Sequence, residues 1–516
     1  MKTQLELTLM PESAFTDSII RSEIARQLQI SIEEIKGVRL VRRSIDSRKS
    51  PVYKLLVDVF VNEIPSEENN TIEYKPVTGD KKVAVIGFGP AGMFAALRLI
   101  ELGIKPVVIE RGKEVSGRRR DIHDLMVNRL VNPNSNYCYG EGGAGTFSDG
   151  KLYTRATKRG DVKKILRIFV QHGGAEDILV DTHPHLGSNK LPDIVSAIRN
   201  TILQCGGEIH FESSVTDFIL KDKKMLGVVV NNNKEMVADA VLLAAGHSAH
   251  DIFSLLHSKN ILLEPKSFAM GVRIEHPQAL INEMQYHSSE KTEYLPSANY
   301  SLACQIDNRG VFSFCMCPGG VIIPASTSPD ELVVNGMSVS KRNSPYANSG
   351  FVVTVEPEDF KQYDEFGPFA GLMYQKEVEH SAFEAGGKNQ TAPAQRVTDF
   401  LKNKISSSLP KSSYFPGTLS SPLHTILPQP IVKRLQEGLL QFNNKMKGFI
   451  TEEAQMLAPE TRTSSPVRIP RDRETYMHVE ITGLFPSGEG AGYAGGIMSS
   501  AMDGENCADA VARYLK

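Results

Sequence analysis

The run KVAVIGFGPAGMFAALRLIELGIKPVVIE, residues 82–110, constrains this chain more than any other stretch. Residues 83–86 are an unbroken apolar run of the kind that forms a parallel strand buried on both faces. Gly87, Gly89 and Gly92 then satisfy G-x-G-x-x-G at the entry to a helix. The first glycine permits the tight turn, the second lets backbone approach a pyrophosphate, and the third lets the helix pack on the strand. Pro90 and Ala91 suit a first helical turn, whose free N–H groups and positive dipole end favour phosphate. Gly103 ends the helix, and a second strand, 106–109, delivers Glu110, an acid placed to accept ribose hydroxyls. The reading is a βαβ unit for a dinucleotide; the alternative is an ordinary crossover without ligand.

The same glycine pattern recurs at Gly140, Gly142, Gly145 and at Gly490, Gly492, Gly495. Neither site is a second nucleotide unit. The middle match follows Asn132-Pro133-Asn134-Ser135-Asn136, which is no strand, and reads as a glycine loop in which Gly142, Gly143, Ala144 and Gly145 let backbone approach a ligand. The last match opens a helix too near the end of the chain for another complete unit.

At 516 residues the chain has room for two or three domains. A formal net charge of −2 argues against a polyanion-binding protein as a whole, and no apolar run reaches the ~18 residues of a membrane span. The N-terminus has no signal-peptide pattern, so a cytoplasmic location is expected. Six sparse cysteines give neither a disulfide framework nor cluster spacing, and no metal site is expected.

Four segments follow. Residues 1–75 read as a small α+β domain with a linker from 62 to 80. Residues 81–261 form the first part of the nucleotide domain, 262–448 an inserted substrate-side α+β domain, and 449–516 a return to the nucleotide domain. In the first segment, Leu5, Leu7 and Leu9 alternate as in a strand, Ile19, Ile20, Ile24 and Leu28 repeat helically, and Ser31 with Glu34 fits a capping box. Its Lys36, Arg39, Arg42, Arg43, Arg48, Lys49 and Lys54 face Asp46 alone, a basic face that is either a solvated hairpin, the favoured reading, or a dock for RNA.

In the nucleotide domain, Arg111 and the run Arg118-Arg119-Arg120 lie near pyrophosphate or adenine, or on the surface. A helix over 193–205 and strands near 209–211, 215–220, 227–230 and 238–245 rebuild the sheet, which brings Val215, Ala245 and Gly246 to its ligand edge. Cys315 and Cys317 are read as buried packing, with redox chemistry as the alternative. Near the C-terminus, a strand over 481–485 leads through Gly488 and Glu489 to Gly495, Gly496 and Ile497 at the start of the last helix. That second helix N-terminus can stabilise negative charge on a reduced flavin, so the element suits FAD better than a soluble nicotinamide.

Taken together, these pieces resemble the glutathione-reductase-type flavoproteins, with their Rossmann-type FAD-binding domain. More narrowly, GEGGAGTFSDGKL, HLGSNKL, MGVRIEHP, CMCPGG, PAQRV, TSSPVRI and GLFPSGEGAGYAGGIMSSA are similar to bacterial FAD-dependent dehydrogenases with an additional N-terminal domain. The resemblance implies FAD contacts from Gly87, Gly89 and Gly92 at pyrophosphate, Glu110 at ribose, Gly246 beside the cofactor and Glu489 toward the ribityl chain, with Gly495-Gly496 facing the isoalloxazine. The resemblance gives the fold and FAD but no substrate; the second helix N-terminus and the inserted domain point to an oxidoreductase passing hydride between a small anionic substrate and flavin N5. Arg273 is the candidate substrate clamp. His276, Tyr493, His183 and His185 are candidates for proton transfer, with Arg462 and Arg468 as secondary anion contacts. The other readings are a flavoprotein docking to RNA and a non-catalytic flavin-binding scaffold.

Overall fold

The computed structural model describes residues 1–66, 71–288 and 293–516. At its centre is a five-stranded parallel sheet, ordered Leu484–Pro486, Ala240–Leu243, Lys82–Ile86, Lys105–Ile109, Glu208–His210. Its strands are continuous apolar runs because both faces are covered. Val83, Val85, Ala240 and Leu242 point into one core, packed by the helices Pro90–Glu101, Leu191–Gln204 and Ile497–Leu515. Ala84, Ile86, Val241 and Leu243 point into a second, covered by the helix His250–Ser258 and a small sheet. Alternation along each strand therefore feeds two layers.

That small sheet corrects one expectation. The segments at 215–220 and 227–230 do not extend the parallel sheet; Val215–Lys221, Lys224–Val230 and Lys234–Val237 form a separate antiparallel meander. A parallel connection needs a dozen or more residues, whereas only Asp222 and Lys223, both at positive φ, link the first pair.

The inserted domain is built on a seven-stranded sheet. Phe268–Pro277 pairs on one side with Tyr346–Val355 and on the other with Gln455–Glu460. Because Gln455–Glu460 belongs to this sheet, the insert runs past residue 448, the expected boundary. Helices Ala370–Ala385 and Gln429–Lys445 cover it over an aromatic-rich core that includes Phe351, Phe442 and Phe449. A ribbon, Val321–Pro324 with Val334–Met337, turns toward the nucleotide domain. There Arg342 pairs with Asp149 at 2.6 Å, and Ser338 also bonds Asp149. This buried contact fixes the two domains against each other.

The N-terminal unit has its own core on a three-stranded sheet, Lys2–Leu9, Val52–Val61, Ile35–Asp46, with the helix Asp17–Leu28. Ser31 and Glu34 do form a capping box. Its basic face is largely neutralised in place: Arg42 and Lys54 face Glu6, Arg48 holds Asp46, and Arg43 bonds Asp181 at 2.7 Å and Asp177 at 3.1 Å. Arg43 also exchanges backbone hydrogen bonds with Val180 and Thr182, so part of this face is the seam to the nucleotide domain. Of the expected linker, 67–70 lie outside the described residues, while Ile72, Tyr74 and Val77 pack on the nucleotide core.

Candidate functional site

One long cleft runs between the nucleotide domain and the insert, with about 1830 Å³ of empty space including its open mouth. The turn after the first strand forms one end. A Cβ on Gly87, which sits at φ +95°, would meet the Ala244 carbonyl at 2.7 Å, and a Cβ on Gly92 would meet the Gly87 carbonyl at 2.0 Å. Only glycines allow this turn. Gly89 opens onto the cleft with nothing nearer than the Gly143 Cα at 3.8 Å. Pro90 and Ala91 also line it, so the N-terminus of that helix borders the cleft.

Glu110 stands at the end of the second strand, buried and lining the cleft. Its carboxylate accepts from the N–H groups of Phe88 (2.8 Å), Gly112 (2.9 Å) and Gly140 (3.0 Å). A carboxylate offers about four acceptor positions, so one remains for a ligand hydroxyl. Arg111 pairs with Asp251 and lies 4.5 Å from the Tyr139 ring centre. The glycine loop is held from behind by Arg118, which has no solvent exposure. Its guanidinium donates to the carbonyls of Asn136, Tyr137 and Glu141, each at 2.8 Å. Gly143, Ala144 and Gly145 thereby reach the cleft, while Gly142 instead donates its N–H to Phe88.

The C-terminal helix arrives from the other side. Gly496, Ile497 and Ser500 line the cleft at its N-terminus. It crosses the Pro90–Glu101 helix closely because position 504 is glycine; a Cβ there would meet the Ala91 carbonyl at 2.1 Å. Two helix N-termini therefore converge on one space. The turn before the last helix is fixed by Asp503, which accepts from the Gly488 N–H at 2.7 Å and pairs with Arg471 at 2.5 Å. Val215, Ala245 and Gly246 border the same space, and a Cβ on Gly246 would touch nothing within 4 Å. Beside it, His247 lies 3.7 Å from Glu489.

The insert closes the far end with Phe314, Cys315, Asn335, Gly336, Glu460 and Arg462, facing Asp149 and Lys151 of the glycine-loop segment. Lys151 donates to the Met316 carbonyl and stands 3.9 Å from both Cys315 Sγ and Asp149. Burial pushes the Glu460 carboxyl up to about 7, outweighing the neighbouring Arg273. Arg462 bonds Glu331 and Glu379 at 2.7 and 2.8 Å, so its charge is already compensated.

Several expected residues are elsewhere. Arg273 is no substrate clamp: its Nε donates to Asn348, and its two NH groups to Glu460, Asn335, the Cys315 carbonyl and Cys317 Sγ, which engages all of its donors behind the wall. His276 bonds the Phe449 carbonyl at 2.8 Å within the insert's core, and burial pushes its imidazole down to about 4. It borders a different, shallow cavity. Tyr493 accepts from the Arg471 N–H at 2.9 Å and stacks with that guanidinium, outside the cleft lining. Gly92, Gly142, Gly488 and Gly495 shape turns without lining the cleft. His183 packs on Tyr153, and His185 bonds the Ser340 carbonyl. Arg468 lies in a two-stranded pairing with Glu264.

The sequence reading missed Asp149, Lys151, His247 and Glu460, and the role of Arg118. Asp149 and Lys151 lie inside the glycine-loop motif GEGGAGTFSDGKL, whose glycines signal a backbone role and mask the two charged side chains. Nothing local marks Glu460; only the sheet brings it to the cleft.

Residues 267–463, the whole inserted domain, match the family model described as FAD-dependent protein, C-terminal domain-like, and residues 1–60 match a domain of unknown function. A protein of Clostridium beijerinckii, described as uncharacterized, is 40% identical over 513 residues, 95% of each chain. The chain belongs to this family of FAD-dependent proteins. FAD is thus the cofactor, and the cleft fits it: open space at Gly246 and Gly89, a spare acceptor on Glu110, and two helix N-termini. Among solved structures, a glycerol-3-phosphate dehydrogenase from Bacillus halodurans complexed with FAD is similar at 12% identity and TM-score 0.36, covering 85% of this chain and 66% of that one. A glycine oxidase from Bacillus cereus is similar at 12% identity and TM-score 0.30, covering 85% and 95%.

Proposed function

We propose that the protein is a FAD-dependent oxidoreductase of dehydrogenase type, acting on a small anionic organic molecule held at the insert end of the cleft. The observation that carries this reading is the polarity of that end: Lys151 and Glu460 face the space reached by the Gly496–Ile497 helix start. Bound FAD supplies a two-electron centre that accepts hydride at flavin N5. Lys151 replaces Arg273 as the anion contact, since an ammonium has three donors and one is engaged by the Met316 carbonyl. Glu460, holding its carboxyl proton up to about pH 7, is positioned to give or take a proton at the substrate. Glu460 is buried in the cleft wall, which keeps water from its carboxyl.

The test is anaerobic flavin absorbance with a panel of 2-hydroxy acids, amino acids, NADH and NADPH. At least one should bleach the oxidised flavin, and Lys151→Met should raise the half-saturating concentration at least tenfold. If none of these compounds reduces the flavin, a small anionic hydride donor of these classes is not the substrate. Docking to RNA has no support in the geometry, since much of the basic face is paired or lies in the seam between domains.

A further inference from the structure

The C-x-C segment does not lie as an ordinary strand. Along Arg309–Cys317, Phe314 pairs with Gly350 but Cys317 pairs with Asn348, so three steps on one strand answer two on its neighbour. Cys315 absorbs the extra residue at φ +45°, a left-handed conformation that non-glycine residues rarely adopt. Strained positions of this kind persist where surrounding structure holds them and cluster at active sites. Here the holding group is Arg273, which donates to the Cys315 carbonyl at 2.6 Å and to Cys317 Sγ at 3.4 Å. Cys317 Sγ itself lies 3.3 Å from that same carbonyl. The bulge therefore turns the Cys317 sulfur back onto the Cys315 peptide.

The two sulfurs are also unlike. Cys315 lines the cleft and is half-buried; Cys317 is buried behind it. A hydrogen bond from Cys317, with Lys151 and Arg273 nearby, holds the Cys315 thiol well below its ordinary value, while Cys317 is pushed well above. Of the two, Cys315 is therefore the more readily ionised and Cys317 the one that keeps its proton.

We propose that Cys315 and Cys317 are a dithiol–disulfide couple at the substrate end of the cleft, which exchanges two electrons with bound FAD and makes small disulfides or dithiols the substrate class. This rests on the oxidoreductase reading above and narrows it. In the oxidising direction the Sγ–Sγ bond forms as two electrons leave the sulfurs. The Cys317 proton and one proton from solvent accompany them, and one FAD becomes FADH2. In the reverse direction the bond breaks and both thiols are restored. Toward an external disulfide, Cys315 attacks one sulfur and the other leaves as a thiol; Cys317 then attacks Cys315 and releases the second. Arg273 is a positioning residue for the couple, and Lys151 is the cation beside its thiolate.

The experiment uses the FAD-loaded full chain. After treatment with diamide and desalting, anaerobic dithionite titration should consume four electrons per flavin in wild type and two in Cys317→Ser. Peptide mass spectrometry should show a loss of two mass units on the peptide carrying both cysteines. In untreated wild type, iodoacetamide at pH 7 should label Cys315 at least tenfold faster than Cys138 or Cys304. Two electrons per flavin in wild type with no 315–317 disulfide would overturn the couple, even with FAD bound and reducible by metabolites. Absence of flavin from the protein would overturn the underlying reading instead.

Discussion

Arg273 and Glu460 pair at 3.1 Å with neither side chain open to solvent, and only the carboxylate belongs to the cleft wall. The arginine is thus a strut for the acid and the bulged strand, and its removal strands a buried carboxylate. Arg273→Ala should destabilise the fold by about 3–5 kcal/mol, the usual cost of breaking one partner of a buried pair. Urea denaturation measures this. A loss below about 1 kcal/mol, with slower substrate turnover, would restore the arginine as a ligand contact.

Glu460 carries a pH signature. Its carboxyl lies near 7 in the folded chain against an ordinary 4.5, so between those values the folded state holds more protons than the unfolded. Stability from this group falls as pH rises through that window, by an amount on the order of 3 kcal/mol in total. His276 works the other way: pushed from 6.5 to about 4, it makes stability rise with pH over that range. The informative quantity is therefore the difference between wild type and Glu460→Gln, followed by thermal unfolding from pH 4.5 to 7.5. The wild-type advantage should shrink as pH rises; a flat difference would mean that the acid is ionised throughout.

Arg118 holds three loop carbonyls at 2.8 Å from a fully enclosed position. Arg118→Lys keeps the charge but loses the planar fork, so it should leave two carbonyls without their donor. FAD retention after desalting should drop at least tenfold, while secondary structure by circular dichroism persists. Equal retention would show that the glycine loop keeps its shape unaided.

Among the described residues, the first domain contributes none to the cleft lining. A chain of residues 71–516 should keep FAD, although deletion to residue 75 would also remove Ile72 and Tyr74 from the nucleotide core. Absorbance of the purified truncation decides this. A folded but colourless product would assign the first domain a role in retaining the cofactor.

What the sequence disclosed and what it concealed divide along a physical line. The nucleotide end was legible because Gly87, Gly89, Gly92 and Glu110 act through local turns, and their neighbours in sequence are their neighbours in space. The far end was not. Glu460 reaches the cleft only through a sheet pairing with residues nearly two hundred positions earlier. Arg273 was misread because a guanidinium's role depends on what occupies its five donors, and Asn348, Glu460 and Cys317 come from three different segments. The C-x-C pair was read by strand alternation, which a bulge breaks.

Gly246 offers the most direct test that FAD occupies the cleft between the two domains. A Cβ there would meet no neighbour within 4 Å and Gly246 lines the cleft, so Gly246→Trp should project its ring into the cleft and fill it without disturbing the fold. Wild type should purify yellow and release one FAD per chain on heating, identified by chromatography. The variant should be colourless, fail to take up added FAD, and unfold at the temperature of the cofactor-free wild type. A variant that retains one FAD per chain would place the cofactor elsewhere and contradict the account.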